Sequence, residues 1–166
     1  GSGTTSGTNG STSGSGTKPT SSGTAVKPVV TGPADLAVVI NAVGVIDPVS
    51  GAFIQRPPMN PNEIAAVKFD IGNRGGTATG VWYFTVQLPT NPTYTYQSPA
   101  QMSLAPDAHI ENILRFRPMN AGGGTVFVSI DPQNMVSESN EGNNSATQWM
   151  NAQSWTGYPY QAPYVY

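Results

Sequence analysis

Residues 81–88 read VWYFTVQL, and their side chains divide by twos. Trp82, Phe84, Val86 and Leu88 fall on one side, Tyr83, Thr85 and Gln87 on the other. Alternation at period two marks a strand with one buried and one wetted face, because successive side chains of an extended chain point opposite ways. A helix would scatter the same groups around its circumference. The pattern recurs along the chain. Residues 63–73 (EIAAVKFDIGN) set Val67, Phe69 and Ile71 against Lys68 and Asp70. Residues 109–117 set Ile110, Leu114 and Phe116 against Glu111, Arg115 and Arg117, and Val126, Val128 and Ile130 form a further inward face. Leu36, Val38 and Ile40 alternate at the start, with the apolar pattern resuming at residues 43–46, and residues 144–150 make the last strand. Residues 93–98 (TYTYQS) read as a short edge strand.

Turn chemistry separates these segments. The 166 residues include 19 Gly and 15 Pro, and three prolines in residues 55–62 (QRPPMNPN) make that stretch a loop. Residues 73–80 (NRGGTATG) and 122–124 are glycine-rich turns. No window carries a convincing amphipathic helix. About seven short strands at this spacing predict an all-β, immunoglobulin- or fibronectin-type antiparallel sandwich. Trp82, Phe69, Phe84 and Phe116 are expected to dominate its core.

Residues 1–32 are a separate compositional unit, with Gly, Ser and Thr at 23 of 32 positions and Lys18 and Lys27 as the only charges. Such a segment has almost nothing to bury against the entropy of ordering, so a flexible linker or stalk is expected there. The chain opens inside this run, as a piece of something longer would. The predicted organisation is a linker at 1–32, a sandwich domain at 33–152 and an aromatic tail at 153–166.

Several functional classes fall away. The net charge is −2 and only Arg115 and Arg117 lie close together among the Lys and Arg residues, so there is no clustered basic surface for nucleic acid. The absence of cysteine excludes thiolate catalysis and Cys-based metal sites. No stretch approaches the ~20 apolar residues a membrane helix needs. The sole histidine, His109, sits in a predicted strand, and neither a G-x-S-x-G elbow nor a nucleotide-binding loop is present. A Glu138 and Glu141 pair could be imagined for glycoside hydrolysis, but that chemistry needs a deep cleft, which a small sandwich rarely supplies. The chain therefore reads as non-enzymatic.

Residues 130–145 run IDPQNMVSESNEGNNS, unlike generic sandwich sequence. This stretch resembles the hallmark of the CARDB family, the cell-adhesion-related domains of bacterial surface proteins and related archaeal ones. The matching positions are Asp131, Asn134, Val136, Glu138, Glu141, Asn143 and Asn144. Residues 73–78 (NRGGTA) resemble the family's Asn-x-Gly turn, and residues 103–108 (SLAPDA) its Ser-Leu-x-Pro-Gly turn, with Asp107 where Gly is usual. The opening at residues 33–36 also fits, and the insertion at 90–100 is longer than the family pattern. The resemblance implies an immunoglobulin-like domain of an exported protein, serving adhesion, scaffolding or protein interaction.

Two accounts of the hallmark stand side by side. In one, its acids and amides tie down the loop before the last strand, with Glu138 or Glu141 pairing with Arg74, Arg115 or Arg117. In the other, Asp131, Asn134, Glu138, Asn140 and Glu141 supply oxygens to Ca²⁺, although the spacing departs from the EF-hand loop. The aromatics also have two readings. Tyr83, Tyr94 and Tyr96, with Trp155, Tyr158 and Tyr160 of the tail, are candidate partner-binding residues; alternatively the tail packs across an open sheet edge. Pro159 and Pro163 oppose regular structure in that tail.

The expected function is a non-catalytic, extracytoplasmic adhesion or scaffold module, monomeric in isolation, that binds a surface protein through sheet edges or loops. The alternatives are a carbohydrate-binding module that takes polysaccharide on its Tyr and Trp side chains, and a structural spacer.

Overall fold

Every alternating segment lies in a strand or bridge of the computed structural model, which describes residue 1, residues 30–156 and residues 161–166. The linker expected at 1–32 therefore falls mostly outside the described residues, as do Tyr158 and Tyr160. The strands are β1 (Leu36–Ile46), β2 (Phe53–Ile54), β3 (Ile64–Asn73), β4 (Phe84–Leu88), β5 (Tyr94–Gln97), β6 (His109–Arg117), β7 (Gly124–Ile130), β8 (Ser145–Met150) and β9 (Tyr164–Val165). One turn of 3₁₀ helix, Glu141–Asn143, precedes β8.

The strands form two antiparallel sheets, ordered β2-β1-β3-β6-β9 and β5-β4-β7-β8. Their inner faces meet in one core that holds Leu36, Val67, Phe69, Ile71, Trp82, Val86, Leu88, Phe116, Val126, Val128, Ile130 and Met150. Apart from Met150, these are side chains that the alternation turned inward, while Ile40 and Ile110 are only partly buried; burying each large apolar side chain contributes roughly 1.5–3 kcal/mol. Phe69 of one sheet meets Phe84 of the other edge to face, centroids 5.5 Å apart at 75°. Trp82 is fully buried and donates its indole N–H to the Met102 carbonyl at 3.0 Å. The fold is an all-β, immunoglobulin-like sandwich.

Four details depart from the linear reading. The two apolar runs at 35–40 and 43–46 are one strand, β1, whose register with β3 slips between Ile40 and Ala42. The extra residue inverts parity, so that Leu36 and Val38 are inward before it and Val45 after it. The strand expected at 81–88 narrows to Phe84–Leu88, and Trp82 instead bridges to Gln101. Phe53–Ile54 adds a strand beside β1, just before the loop expected at 55–62. Finally, Tyr164–Val165 pairs with Phe116 and Arg117 of β6 despite the tail's prolines. Pro163 stands just before this edge strand, where its missing N–H costs no ladder bond.

Candidate functional site

The hallmark loop connects β7 to β8 and closes over the start of β1. Two of its residues, Asp131 and Asn134, adopt left-handed backbone, with φ of 43° and 54°. Asp and Asn are the non-glycine residues that tolerate this region best. The resulting reversal brings Val136 N–H to Asp131 Oδ2 at 2.7 Å and seats Val136 in the core. Asn140 caps the 3₁₀ turn, its Oδ1 accepting from Gly142 N–H at 3.0 Å.

The rest of the loop reaches across to the first strand. Glu138 Oε2 accepts from Leu36 N–H at 2.5 Å, and Asn143 Nδ2 donates to Asp35 Oδ1 at 2.7 Å. Ser139 N–H donates to the Ala34 carbonyl at 2.9 Å. The opening residues are held from the other side by Asn73, Arg74 and Gly76, since Asp35 N–H donates to Asn73 Oδ1, Arg74 N–H to Asp35 O and Gly76 N–H to Pro33 O. The two matched turns therefore grip one another: Asn73 Nδ2 donates to Leu104 O at 3.0 Å, within residues 103–108. Asp107 has φ of 62°, which explains why glycine suits that position.

The loop's acids are not paired with the cations expected for them. Among the described residues the ion pairs are Arg56–Glu63, Lys68–Glu111 and His109–Asp70. Arg117 lies over the Tyr164 ring instead, 5.9 Å from its centroid. Glu138 and Glu141 are joined through an amide: Asn144 Nδ2 donates to Glu138 Oε1 and to Glu141 Oε2, both at 3.0 Å. Burial holds the Glu138 carboxyl above its ordinary range, and the charges of Glu141 and Asp131 add to this against the bonds from Leu36 and Asn144. Of the five oxygen ligands expected for Ca²⁺, the structure links Asn134 to Glu141, while Asn140 and one Asp131 oxygen serve backbone N–H groups. Among the described residues, no three His, Cys, Asp or Glu side chains gather closely enough to hold a metal ion.

The aromatic candidates separate. Tyr96 stacks on Phe84 at 6.0 Å, and Trp155 packs half-buried against the core. Tyr83 is half-buried and Tyr94 exposed. Tail and sandwich are thus joined, with Gln153 N–H donating to Pro58 O and β9 covering β6. The exposed indole is Trp149, a residue outside the expected set, 53% accessible on β8 with its N–H on Asn151 Oδ1 at 2.9 Å. Parity alone points to it, because Ala146, Gln148 and Met150 share the opposite face of that strand. Trp149 borders a concavity of about 230 Å³ together with Arg56, Pro57, Gln148 and Asn151.

His109 is 69% exposed and sits 3.1 Å from Asp70 Oδ1. The concavity beside it, about 170 Å³, is lined by Val39, Asp70, Asn73, Arg74 and Asp107 with Ala37, Gly72 and Ala108.

The chain's fold is similar to the CARDB domain of a Pyrococcus furiosus protein, whose crystal structure is in complex with di-metal ions. The two are 20% identical, with a TM-score of 0.54, over 76% of this chain and 94% of that one. A domain of a Methanosarcina acetivorans protein is 19% identical over 77% of this chain and 99% of its own, with a TM-score of 0.49. No curated protein matches the chain. The CARDB family model matches residues 49–148, from the turn after β1 through the hallmark loop and most of β8, and the chain belongs to the CARDB family.

Proposed function

We propose that the chain is a non-catalytic adhesion or scaffold module that works outside the cytoplasm and holds protein partners through the open edges of its sandwich. The observation that carries this reading is the outer edge of β8. Among the described residues this strand ends its sheet, and no further strand is hydrogen-bonded to its outer edge, although β1 packs near it and Gln55, Arg56 and Pro57 lie beside Trp149. Trp149 stands exposed on it with its indole fixed by Asn151. An open edge is a template for strand addition, and a pre-oriented Trp is the side chain that most often anchors a protein interface. Membership of CARDB, a family of adhesion-related domains, supports the same reading. Among the described residues no helix is long and apolar enough to cross a membrane.

Beads coated with the chain and presented to cell envelopes of its source test this. Attachment that is lost when the envelopes are treated with protease, and weakened by Trp149→Ala, is the expected result. Attachment abolished by periodate oxidation of sugars but kept after protease would replace the protein partner with a polysaccharide. Beads that never attach would leave a spacer.

A further inference from the structure

Among the described residues the two sheets end in four edge strands, β2, β9, β5 and β8. Three of them are blunted. β2 and β9 are two residues each, and β5 is four residues between Pro92 and Pro99. β8 runs six residues, Ser145–Met150, with no proline, no charged side chain and an unbroken register against β7. Natural sheets protect their edges with short strands, prolines, bulges or charges, because an unprotected edge pairs with another strand. β8 carries none of these devices.

Strand parity decides which backbone groups face outward. Ile130 N–H donates to Asn144 O at 2.8 Å, so Asn144, Ala146, Gln148 and Met150 exchange bonds with β7. The N–H and C=O groups of Ser145, Thr147 and Trp149 then turn to the outer side. The Trp149 carbonyl agrees with this, since it accepts from the side-chain amide of Gln148 at 3.1 Å in place of a neighbouring strand. β1 of the other sheet packs near this edge and residues 55–57 lie beside Trp149, but a concavity of about 230 Å³ stays open between them and residues 148–151.

The side chains of β8 match a copy of themselves. On an antiparallel two-fold axis through Thr147, Thr147 meets its own copy, and Trp149 of each chain lies opposite Ser145 of the other, large against small at both ends. The outer face continues through Thr125, Phe127 and Ser129 of β7 to Thr85 and Gln87 of β4 without a charge, so joining two such sheets sets no like charges side by side. The other sheet differs, with Lys68, Asp70, Glu111 and Arg115 on its outer face. The two ends of β8 are complementary as well. The 3₁₀ turn with Glu141 stands just before the strand, and Arg56 stands beside its far end. Antiparallel pairing brings Glu141 of one copy toward Arg56 of the other, and Glu141 belongs to no ion pair among the described residues.

We propose that β8 pairs with β8 of a second copy of this chain, antiparallel about Thr147, so that two four-stranded sheets become one continuous sheet. This rests on the edge reading above and names its partner: the adhesion is homophilic, between copies of the same domain. The outward groups of Ser145, Thr147 and Trp149 in both strands supply about six backbone hydrogen bonds. A contact confined to two strands is small, so the pair is weak and the chain, expected to be monomeric in isolation, is so only when dilute.

Sedimentation equilibrium of the whole chain from about 5 to about 500 µM should show the mass rising from one chain toward two. Hydrogen exchange at the upper concentration should slow the amides of Ser145, Thr147 and Trp149 several-fold. Thr147 is exposed, so Thr147→Lys and Thr147→Glu should each keep Tm within a few degrees of the parent, yet stay monomeric alone because like charges meet on the axis. Mixed in equal amounts, the two variants should recover a dimer. A parent that stays monomeric throughout, a Thr147→Lys variant that still dimerises, or a mixture that fails to associate would each overturn the proposal. A monomeric parent whose bead attachment is still protease-sensitive and weakened by Trp149→Ala sinks self-pairing alone and leaves the edge to a different protein. A parent that dimerises, on beads that never attach, keeps the pairing and sinks the adhesive role.

Discussion

Asn73 offers the sharpest test of how the sandwich holds its opening strand. It is 1% exposed at the end of β3, and its side chain fills all four hydrogen-bonding places. Oδ1 accepts from Asp35 N–H at 3.1 Å and from Gly75 N–H at 3.0 Å, while Nδ2 donates to Thr77 O at 2.8 Å and Leu104 O at 3.0 Å. Gly75 is buried, so Asn73→Ala strands its N–H away from water, whereas Leu104 O keeps the bond from Thr79 N–H. The stranded donor costs about 1–3 kcal/mol, and the three other lost bonds add about 0.5–1.5 kcal/mol each. Partial entry of water lowers the upper bound, which gives an expected loss of about 3–6 kcal/mol, a large part of the ~5–15 kcal/mol that holds a typical domain folded. Asn73→Asp should do no better, because it keeps the acceptors but sets a carboxylate against two carbonyl oxygens. Urea unfolding followed by tryptophan fluorescence measures both. Asn112→Ala, which removes a single 3.3 Å bond to Ile110 O, is the control and should cost about 1 kcal/mol or less. An Asn73→Ala loss under about 1 kcal/mol would refute the idea that this one amide ties the two turns and β1 together.

Trp82→Ala should cost about 3–5 kcal/mol in the same assay, since it empties a fully buried indole site beside Phe84; a loss below about 2 kcal/mol would mean that the core collapses around the gap. Gly75→Ala should destabilise by about 1–3 kcal/mol, because a Cβ there would land on the Pro33 carbonyl oxygen and 2.5 Å from the Ala34 carbonyl carbon. Hydrogen exchange should then show the amides of residues 34–36 opening first. The Arg56 guanidinium, at 2.6 Å, holds the Glu63 carboxyl below its ordinary value of 4.5 against the opposing effect of burial. A depressed carboxyl contributes stability that is present above about pH 4.5 and lost as pH falls through its lower folded value. Glu63→Gln should therefore flatten the acid limb of stability by about 1 kcal/mol or less, and an unchanged limb would show the pair to be inert.

The reach of the linear pattern can be judged residue by residue. Val67, Phe69 and Ile71 went inward as their spacing required, and so did Val126, Val128 and Ile130, because strand parity is a property of neighbours in the chain. The break at Asn41 was visible as a lapse in alternation between two apolar runs. Its meaning as a bulge inside one strand was not, since a bulge is defined by the partner it slips against, here β3. Trp149 is legible by parity, although the tyrosines of β5 and the tail are the more conspicuous aromatics in the sequence. Trp155 was conspicuous, yet it packs half-buried because the tail returns to the sandwich. The two-residue strand β9 exists because β6 offered an open edge, and that depends on sheet order rather than on the tail's composition.

The candidate site divides in the same way. Composition and alternation were enough for the all-β class, the inner faces and the unusual loop of acids and amides, because each rests on interactions a few residues long. Only the folded chain decided what that loop touches. Glu138 meets Leu36 across 102 residues and Asn143 meets Asp35 across 108, while among the described residues none of the arginines named as partners forms an ion pair with these acids. Such pairings follow from which strands become neighbours when two sheets close on one core, and that closure is driven by burial of the whole apolar surface, a quantity no short segment contains.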